Sequence, residues 1–225
     1  MIASRAASRA RRQYRRAAPR YGFYRRLWLD LAGEAAEQAL LADLAGTLRP
    51  GMRVLDAGCG TGAISREILR LCPGVRLAML DLCPAMLAEA AGTGAPRVIG
   101  DAVQLPFADG AFDVVVSAWA IETMADPKRA VAGYLRVLAR RGRVFCTFCS
   151  RPPGWTARLR SLPLRCVVRA GFAGRFLTPA RTPFHDCRMA RRRRFHDGLV
   201  TGIALAKCCT VGNPPGPCLR NGNLR

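Results

Sequence analysis

VLDAGCGTG occupies residues 54–62. An apolar run ends in the carboxylate of Asp56, and glycines follow at alternate positions, Gly58, Gly60 and Gly62. The run reads as a buried strand. The glycines read as a turn into a helix, because GAISREILRLC (62–72) places apolar side chains at 64, 68, 71 and 72, the helical spacing. Glycine lets backbone amides approach a ligand with no side chain between, and the helix after the turn aims its positive end there. A dinucleotide-binding turn would space its glycines Gly-x-Gly-x-x-Gly, whereas here the third comes one residue earlier. No Gly-Lys-Ser/Thr follows, so the turn is not a P-loop. On its own it also fits a tight strand-to-helix connection with no ligand.

Strands and helices alternate outward from this turn. Upstream, LDLAGEAAEQALLADLAGTLRPG (29–51) has good helix formers, early acids and an Arg-Pro-Gly stop. Downstream come a strand VRLAMLD (75–81), a short helix PAMLAEAA (84–91) with proline at its start, and strands RVIGDA (97–102) and AFDVVVSAWA (111–120). DPKRAVAGYLRVLARRG (126–142) reads as a helix ending at glycine, and RVFCTFC (143–149) as the fifth strand. Continuous apolar strands alternating with helices predict an α/β fold, a doubly wound parallel sheet covered on both faces. Right-handed crossovers then put every strand's C-terminal end on one edge, where ligands bind. Further on, 155–172 can be helical, and CRMARRRRF (187–195), HDG (196–198) and LVTGIALAKC (199–208) read as a hairpin. The tail 209–225 has no periodicity and reads as disordered.

Two further carboxylates stand at strand ends. Asp81 closes the second strand, 25 positions after Asp56, where a carboxylate can accept both hydroxyls of a ribose. It also fits a helix N-cap ahead of Pro84, and the two roles are compatible. Asp101 closes the third strand and otherwise reads as a solvated loop acid.

Residues 53–149 resemble a class I S-adenosylmethionine-dependent methyltransferase, of the broad group that includes the ubiquinone/menaquinone-biosynthesis methyltransferases. VLDAGCGTG resembles the first motif, MLDLCPAML (79–87) the second, GDAVQLPFADGAFDVVVS (100–117) the third and fourth, and LRVLARRGR (135–143) the lead-in to the fifth strand. The resemblance implies a Rossmann-like sheet of seven strands, mostly parallel with the last antiparallel, the 187–208 hairpin supplying two of them. It implies S-adenosylmethionine as cofactor. Asp56 and the amides around Gly58, Cys59 and Gly60 would hold the methionine end. Asp81, with Leu82 beside it, would hold the ribose, Asp101 and the Ala102 amide would read the adenine edge, and Ser117 would lie under the sulfonium. The chain departs from the family where relatives often carry paired histidines after the fourth strand; here stand Glu122 and Thr123. The family's Lys-Pro-Gly-Gly turn is Ala139-Arg140-Arg141-Gly142, and Gly133 replaces an acid.

A sulfonium is already a strong methyl donor, so the protein mainly aligns an acceptor behind the methyl group. A carbon acid or phenol also needs a general base. Glu122, after the fourth strand, is the first candidate, and it equally fits an ordinary helix-start acid. His185 and His196 are weaker candidates. No metal is expected, because Cys146 and Cys149 point to opposite faces of a strand and Cys208-Cys209 has no partner at zinc spacing.

The net charge of +21 is unevenly spread. Residues 1–29 hold nine arginines and no acid, residues 30–150 are almost neutral, and residues 151–225 carry the rest. This divides the chain into a basic arm (1–29), a methyltransferase domain (30–208) with a cofactor half (51–150) and a substrate-side part (151–208), and the tail. The arm YRRAAPRYGFYRRLWLDLA (14–32) interleaves aromatics with arginine. That suits peripheral contact with an anionic membrane, RNA stacking, or a basic arm whose aromatics close over the domain. The arm also has the composition of a targeting peptide, although an arginine-rich bacterial chain accounts for it as well. The chain lacks the Asn/Asp-Pro-Pro-Tyr/Phe run found in many base methyltransferases, having Ser117-Ala118-Trp119-Ala120 instead, which favours a small-molecule or lipid-like acceptor over RNA. A scaffold that has lost activity is the third reading. Ten cysteines without disulfide-framework spacing point to a reduced, cytoplasmic setting.

Overall fold

The computed structural model describes residues 5–171, 176–177 and 188–207. The tail from residue 209, the Cys208-Cys209 pair and His185 lie outside the described residues. One seven-stranded sheet runs β1 (Arg53–Ala57), β2 (Arg76–Asp81), β3 (Arg97–Ile99), β4 (Phe112–Ala118), β5 (Leu138–Cys149), β6 (Arg188–Phe195) and β7 (Val200–Ala206) along the chain. Its spatial order is β3-β2-β1-β4-β5-β7-β6. The first five strands are parallel, and β7 runs antiparallel to both β5 and β6. The expected sheet, with its last strand reversed and a hairpin at 187–208, is the one found.

The period-two alternation of the strands divides the core into two layers. Leu55, Ala57, Val115, Val144, Cys146 and Phe148 face α6 (Pro127–Val137), against Ala130, Val131, Tyr134 and Val137. Val54, Met79, Val114, Val116 and Phe145 face α3 (Glu34–Thr47) and α4 (Ala63–Leu71), against Leu40, Leu44, Ile64 and Ile68. Tyr134, Leu44 and Ile68 are fully buried, and each such side chain contributes roughly 1.5–3 kcal/mol through apolar burial.

One boundary differs from expectation. The helix expected over 126–142 stops at Val137, and β5 begins at Leu138. Tertiary pairing decides this, because Leu138 pairs with Phe112 and is fully buried. The register then slips before Val114 meets Arg143, and Arg141 takes up the slack at φ 64°. The possible helix at 155–172 is two, α7 (Trp155–Arg160) and α8 (Leu162–Gly171), broken at Ser161.

Ahead of β1 the chain is helical almost throughout. α1 (Arg5–Ala17), a single 3-10 turn at Ala18–Arg20 and α2 (Tyr21–Trp28) lead through a π-helical turn at Leu29–Gly33 into α3. What changes near residue 30 is the charge, while the backbone stays helical. Trp28 and Ala32 pack with Val168 of α8 and with Leu199 and Val200. Within the β6 arginine run, alternate side chains reach opposite faces. Arg191 and Arg193 meet the Asp43 carboxylate of α3, at 3.1 and 3.5 Å, so the anion they find is the protein's own.

Candidate functional site

The glycine turn sits where β1 ends, at the C-terminal edge of the sheet. Gly58 and Cys59 donate backbone N–H bonds to the Leu80 carbonyl at 2.7 and 3.1 Å, stitching the turn to the end of β2. Gly58 has φ 79°, and a Cβ there would lie 2.5 Å from the Ala120 Cβ. Only glycine fits so close to the segment after β4. Gly60 donates its N–H to Asp81 Oδ2 at 2.8 Å, and Cys83 donates to Oδ1 at 2.8 Å. Asp81 therefore locks the turn to α5 (Pro84–Glu89) and still keeps lone pairs for a ligand. Burial raises its pKa above the ordinary carboxylate value, and the amides of Cys83 and Gly60 partly offset this.

A cleft with an empty volume of about 910 Å³ opens above this edge, part of it continuous with solvent. Seven of the nine residues expected to bind cofactor line it, namely Gly58, Cys59, Gly60, Asp81, Leu82, Asp101 and Ala102. Asp101 uses one carboxylate oxygen to cap the following turn through the Val103 N–H, at 2.9 Å.

Asp56 and Ser117 do not reach the cleft wall, and strand alternation explains both. Asp56 shares the Val54 face, under α4, where Ser65 Oγ donates to Oδ2 at 2.6 Å. It is almost wholly buried, and burial first, opposed by the Ser65 bonds, pushes its pKa up to about 7. Ser117 shares the Val115 face, under α6, and its hydroxyl hydrogen-bonds to the Tyr134 hydroxyl at 3.1 Å. Both residues support the turn and the strand end from below.

The opposite wall of the cleft comes from the arm. Ala7, Ala10, Arg11 and Tyr14 of α1, with Tyr21 and Arg25 of α2, close over the turn. Tyr14 packs with Cys83 and Met86 and lies edge-to-face on Tyr21, ring centroids 6.1 Å apart. Of the five arm aromatics, Tyr14, Tyr21 and Trp28 line cavities, while Phe23 remains 69% exposed. The sequence carried a signal for this. Ala7, Tyr14, Tyr21 and Trp28 recur every seven residues, which puts them on one helical face.

A smaller, nearly filled chamber adjoins the cleft. The two share Tyr14, Tyr21, Arg25, Trp119 and Thr123, and the chamber adds Trp28, Glu122, Cys149 and Val168. Trp119 stands on the shared boundary at φ 58°, a strained conformation for a bulky side chain. Its backbone N–H donates to the Thr147 carbonyl at 2.7 Å and its indole N–H to Glu37 Oε2 at 3.2 Å. Arg25 holds the other Glu37 oxygen at 2.6 Å, and Trp28 packs edge-on to Trp119 at 5.6 Å. Glu122 is 3% exposed and accepts the Cys149 N–H on Oε1 at 3.1 Å. Its Oε2 is buried and has no hydrogen-bond partner among the described residues. Burial, partly countered by backbone hydrogen bonds and by the Cys149 thiol, raises the Glu122 pKa to about 7.

His196 is exposed in the β6–β7 turn and lines neither cavity. Cys146 and Cys149 belong to different core clusters, on opposite faces of β5. Among the described residues no group of histidine, cysteine and carboxylate side chains is arranged to hold a metal. No helix there is long and apolar enough to cross a membrane.

A two-chamber site at the C-terminal edge of this strand order can be compared with known proteins. Residues 55–146 match the family model described as Methyltransferase domain. Over these residues the chain is similar to a methyltransferase domain. A demethylmenaquinone methyltransferase of Thermus thermophilus is 35% identical over 142 residues, 60% of this chain and 64% of that protein. A ubiquinone/menaquinone biosynthesis C-methyltransferase, UbiE, of Cereibacter sphaeroides is 35% identical over 47% of this chain and 45% of its own. A malonyl-[acyl-carrier protein] O-methyltransferase of Herminiimonas arsenicoxydans is 39% identical over 45% of this chain and 39% of its own. The chain thus spans less than two thirds of the length of each of these relatives. Among solved structures, a chain of the Haloferax volcanii complex between the Trm112 methyltransferase activator and a methyltransferase aligns with TM-score 0.73 and 17% identity. That alignment covers 91% of this chain and 100% of the other. Geranyl diphosphate C-methyltransferase from Streptomyces coelicolor A3(2) aligns with TM-score 0.63 and 16% identity, covering 78% of this chain and 79% of its own. At these identities the likeness is one of fold. S-adenosylmethionine is the cofactor of the methyltransferase domain. The cleft fits it in that the buried Asp81 carboxylate keeps free lone pairs there and glycines stand in place of any bulkier wall.

Proposed function

We propose that this chain transfers a methyl group from S-adenosylmethionine to a small, flat, lipid-like acceptor of the quinone-precursor type, with Glu122 taking the acceptor's proton. The observation that carries this reading is the buried Glu122 carboxylate, met among the described residues only by the amide and thiol of Cys149, in a chamber that shares a wall with the donor cleft. A buried carboxylate so weakly partnered is costly, and it gains a stronger partner when a ligand brings an O–H or acidic C–H into the chamber. Tyr21, Trp28 and Trp119 give that chamber aromatic walls, which move apart to admit a ring. The quinone class is supported by the names of the Thermus and Cereibacter relatives.

When bound, the cofactor supplies an electrophilic methyl on a positively charged sulfur, which leaves as a thioether. The chain's own residues do the rest. Asp81 orients the nucleoside through the lone pairs its two amide bonds leave free, Gly58 and Gly60 hold the turn that carries it, Asp101 and Ala102 bound the base, and Asp56 and Ser117 hold the turn and strand beneath. Trp119 separates the two chambers and aligns the acceptor. α1 and α2 exclude water. Glu122 accepts the proton that a carbon or phenol acceptor must lose. The stripe Phe23, Leu27, Leu31, exposed at four-residue spacing beside Arg20 and Arg26, supports peripheral contact with an anionic bilayer from which such an acceptor is drawn.

The test is incubation of the protein with isotopically labelled S-adenosylmethionine and a demethylated menaquinol in detergent, read by mass spectrometry. Methylated quinol from the native protein, with turnover reduced about 10²–10⁴-fold in Glu122→Gln, is expected. Equal turnover of the variant at saturating substrate removes Glu122 from the mechanism. Absence of S-adenosylmethionine binding by calorimetry overturns the reading altogether.

A further inference from the structure

α1 is an unusual lid. Its sequence, RAASRARRQYRRA, holds six arginines and no acid in 13 residues, so its first turn has nothing to complement the helix dipole. Arg11 and Arg15, and Arg12 and Arg16, are like-charge neighbours one turn apart, an arrangement that destabilises a helix. A helix of this length is marginal by itself, and it is held to the domain through Ala7, Ala10 and Tyr14. Ser8, Arg11, Arg12 and Arg15 fall at i, i+3, i+4 and i+7, and together they line a groove against Leu82 and Pro84. This groove adjoins the donor cleft, since Ala7, Arg11, Leu82 and Cys83 border both. None of the three arginine side chains forms an ion pair or hydrogen bond among the described residues, whereas Arg191 and Arg193 of β6 are met by Asp43.

We propose that this face of α1 is a binding site for a phosphate group, free or carried on a lipid headgroup, and that its occupancy holds α1 closed over the donor cleft. Three guanidinium groups and a hydroxyl on one face supply convergent donors to phosphate oxygens. The anion cancels the repulsion that opposes the helix, and because only the closed helix presents the complete face, binding shifts the population toward closure. The second half of the proposal, that closure tightens the donor, rests on the function proposed above, while the first half does not.

The experiment uses the full chain and hydrogen exchange of the Arg5–Ala17 amides. The probes are sodium pyrophosphate, phosphatidylglycerol-containing vesicles, and sodium chloride of matched ionic strength. Either phosphate probe is expected to slow exchange about tenfold beyond chloride. Pyrophosphate alone acting identifies a soluble phosphate ligand, and vesicles alone acting identify a headgroup; both support the site. The triple variant Arg11→Gln, Arg12→Gln, Arg15→Gln should lose the response. The charge-matched control Arg70→Gln, Arg76→Gln, Arg140→Gln, at the other edge of the sheet, should keep it. Equal responses in the two variants, no slowing beyond chloride, or protection by an RNA oligomer alone overturns the site. Calorimetry of S-adenosylmethionine with and without the active probe should show about fivefold tighter binding; unchanged affinity overturns the coupling. No donor binding under any condition refutes the proposed function and leaves the exchange result standing.

Discussion

At the level of single residues, Glu122 and Gly58 bear the clearest consequences. Glu122 must be ionised to accept a proton, and its pKa is raised to about 7 by burial. The rate of methyl transfer should therefore rise with pH through a midpoint near 7, and Glu122→Gln should abolish that limb; a limb that persists in the variant belongs to another group. Gly58→Ala places a Cβ against Ala120 at a backbone angle that L-residues avoid. It should destabilise the fold by about 1–3 kcal/mol and weaken donor binding, measured by thermal melts and calorimetry on the same preparation. Seven cleft residues were legible in the sequence because a ligand-facing turn needs particular residue types at particular strand ends. Asp56 and Ser117 were expected at the cofactor and lie beneath the cleft, since a motif gives a position along a strand and the face is decided by alternation. Trp119 was not legible, because nothing in Ser-Ala-Trp-Ala marks a positive φ or an indole bond to a carboxylate 82 residues earlier in the chain.

At the level of elements, the alternating strands, the helices between them and the β6–β7 hairpin followed from periodicity. The helix over 126–142 ran too long on paper because its residues are good helix formers and the pairing of Leu138 with Phe112 is a long-range fact. The arm was legible as charge, and its aromatics closing over the domain stood as one of three readings, which the seven-residue recurrence of Ala7, Tyr14, Tyr21 and Trp28 was available to favour. If that face forms the roof, Tyr14→Ala should weaken S-adenosylmethionine binding about tenfold or more, while Phe23→Ala, one exposed residue of the same arm, should leave it within about twofold. Calorimetry on both variants decides, and equal effects would deny the roof its role. The start of α6 offers a calibration. Asp126 caps it through the Arg129 N–H at 3.1 Å, and Asp126→Ala should cost about 1 kcal/mol in chemical denaturation.

For the whole molecule, the raised carboxylates set the dependence of stability on pH. Asp56 and Glu122 both rise to about 7, from ordinary values of 3.8 and 4.5. Their contribution is fully present below the ordinary carboxylate range, where both forms of the chain are protonated. It is lost as pH rises toward about 7, because the unfolded chain has released protons that the folded chain still holds. Asp113, lowered by its hydrogen bonds to Arg53, acts in the opposite sense and is lost as pH falls through its depressed value. In the absence of donor, Glu122→Gln should gain stability over the native chain as pH rises from 4 to 8, by a few kcal/mol at the upper end. A constant difference in denaturation free energy across that range would show that Glu122 ionises freely.

The roof and the floor of the cleft are made at different times. α1 leaves the ribosome ahead of the sheet, yet its seat on Cys83 and Met86 lies about seventy residues downstream, as the Cys83 thiol contact with the Arg11 carbonyl records. Until the second strand and its helix have emerged, a strongly cationic peptide has nowhere of its own to dock, close to a surface of ribosomal RNA. Contacts that close so long a loop form late. In pulse-labelled refolding, α1 should be the last described helix to gain protection, and polyanions added early should delay it.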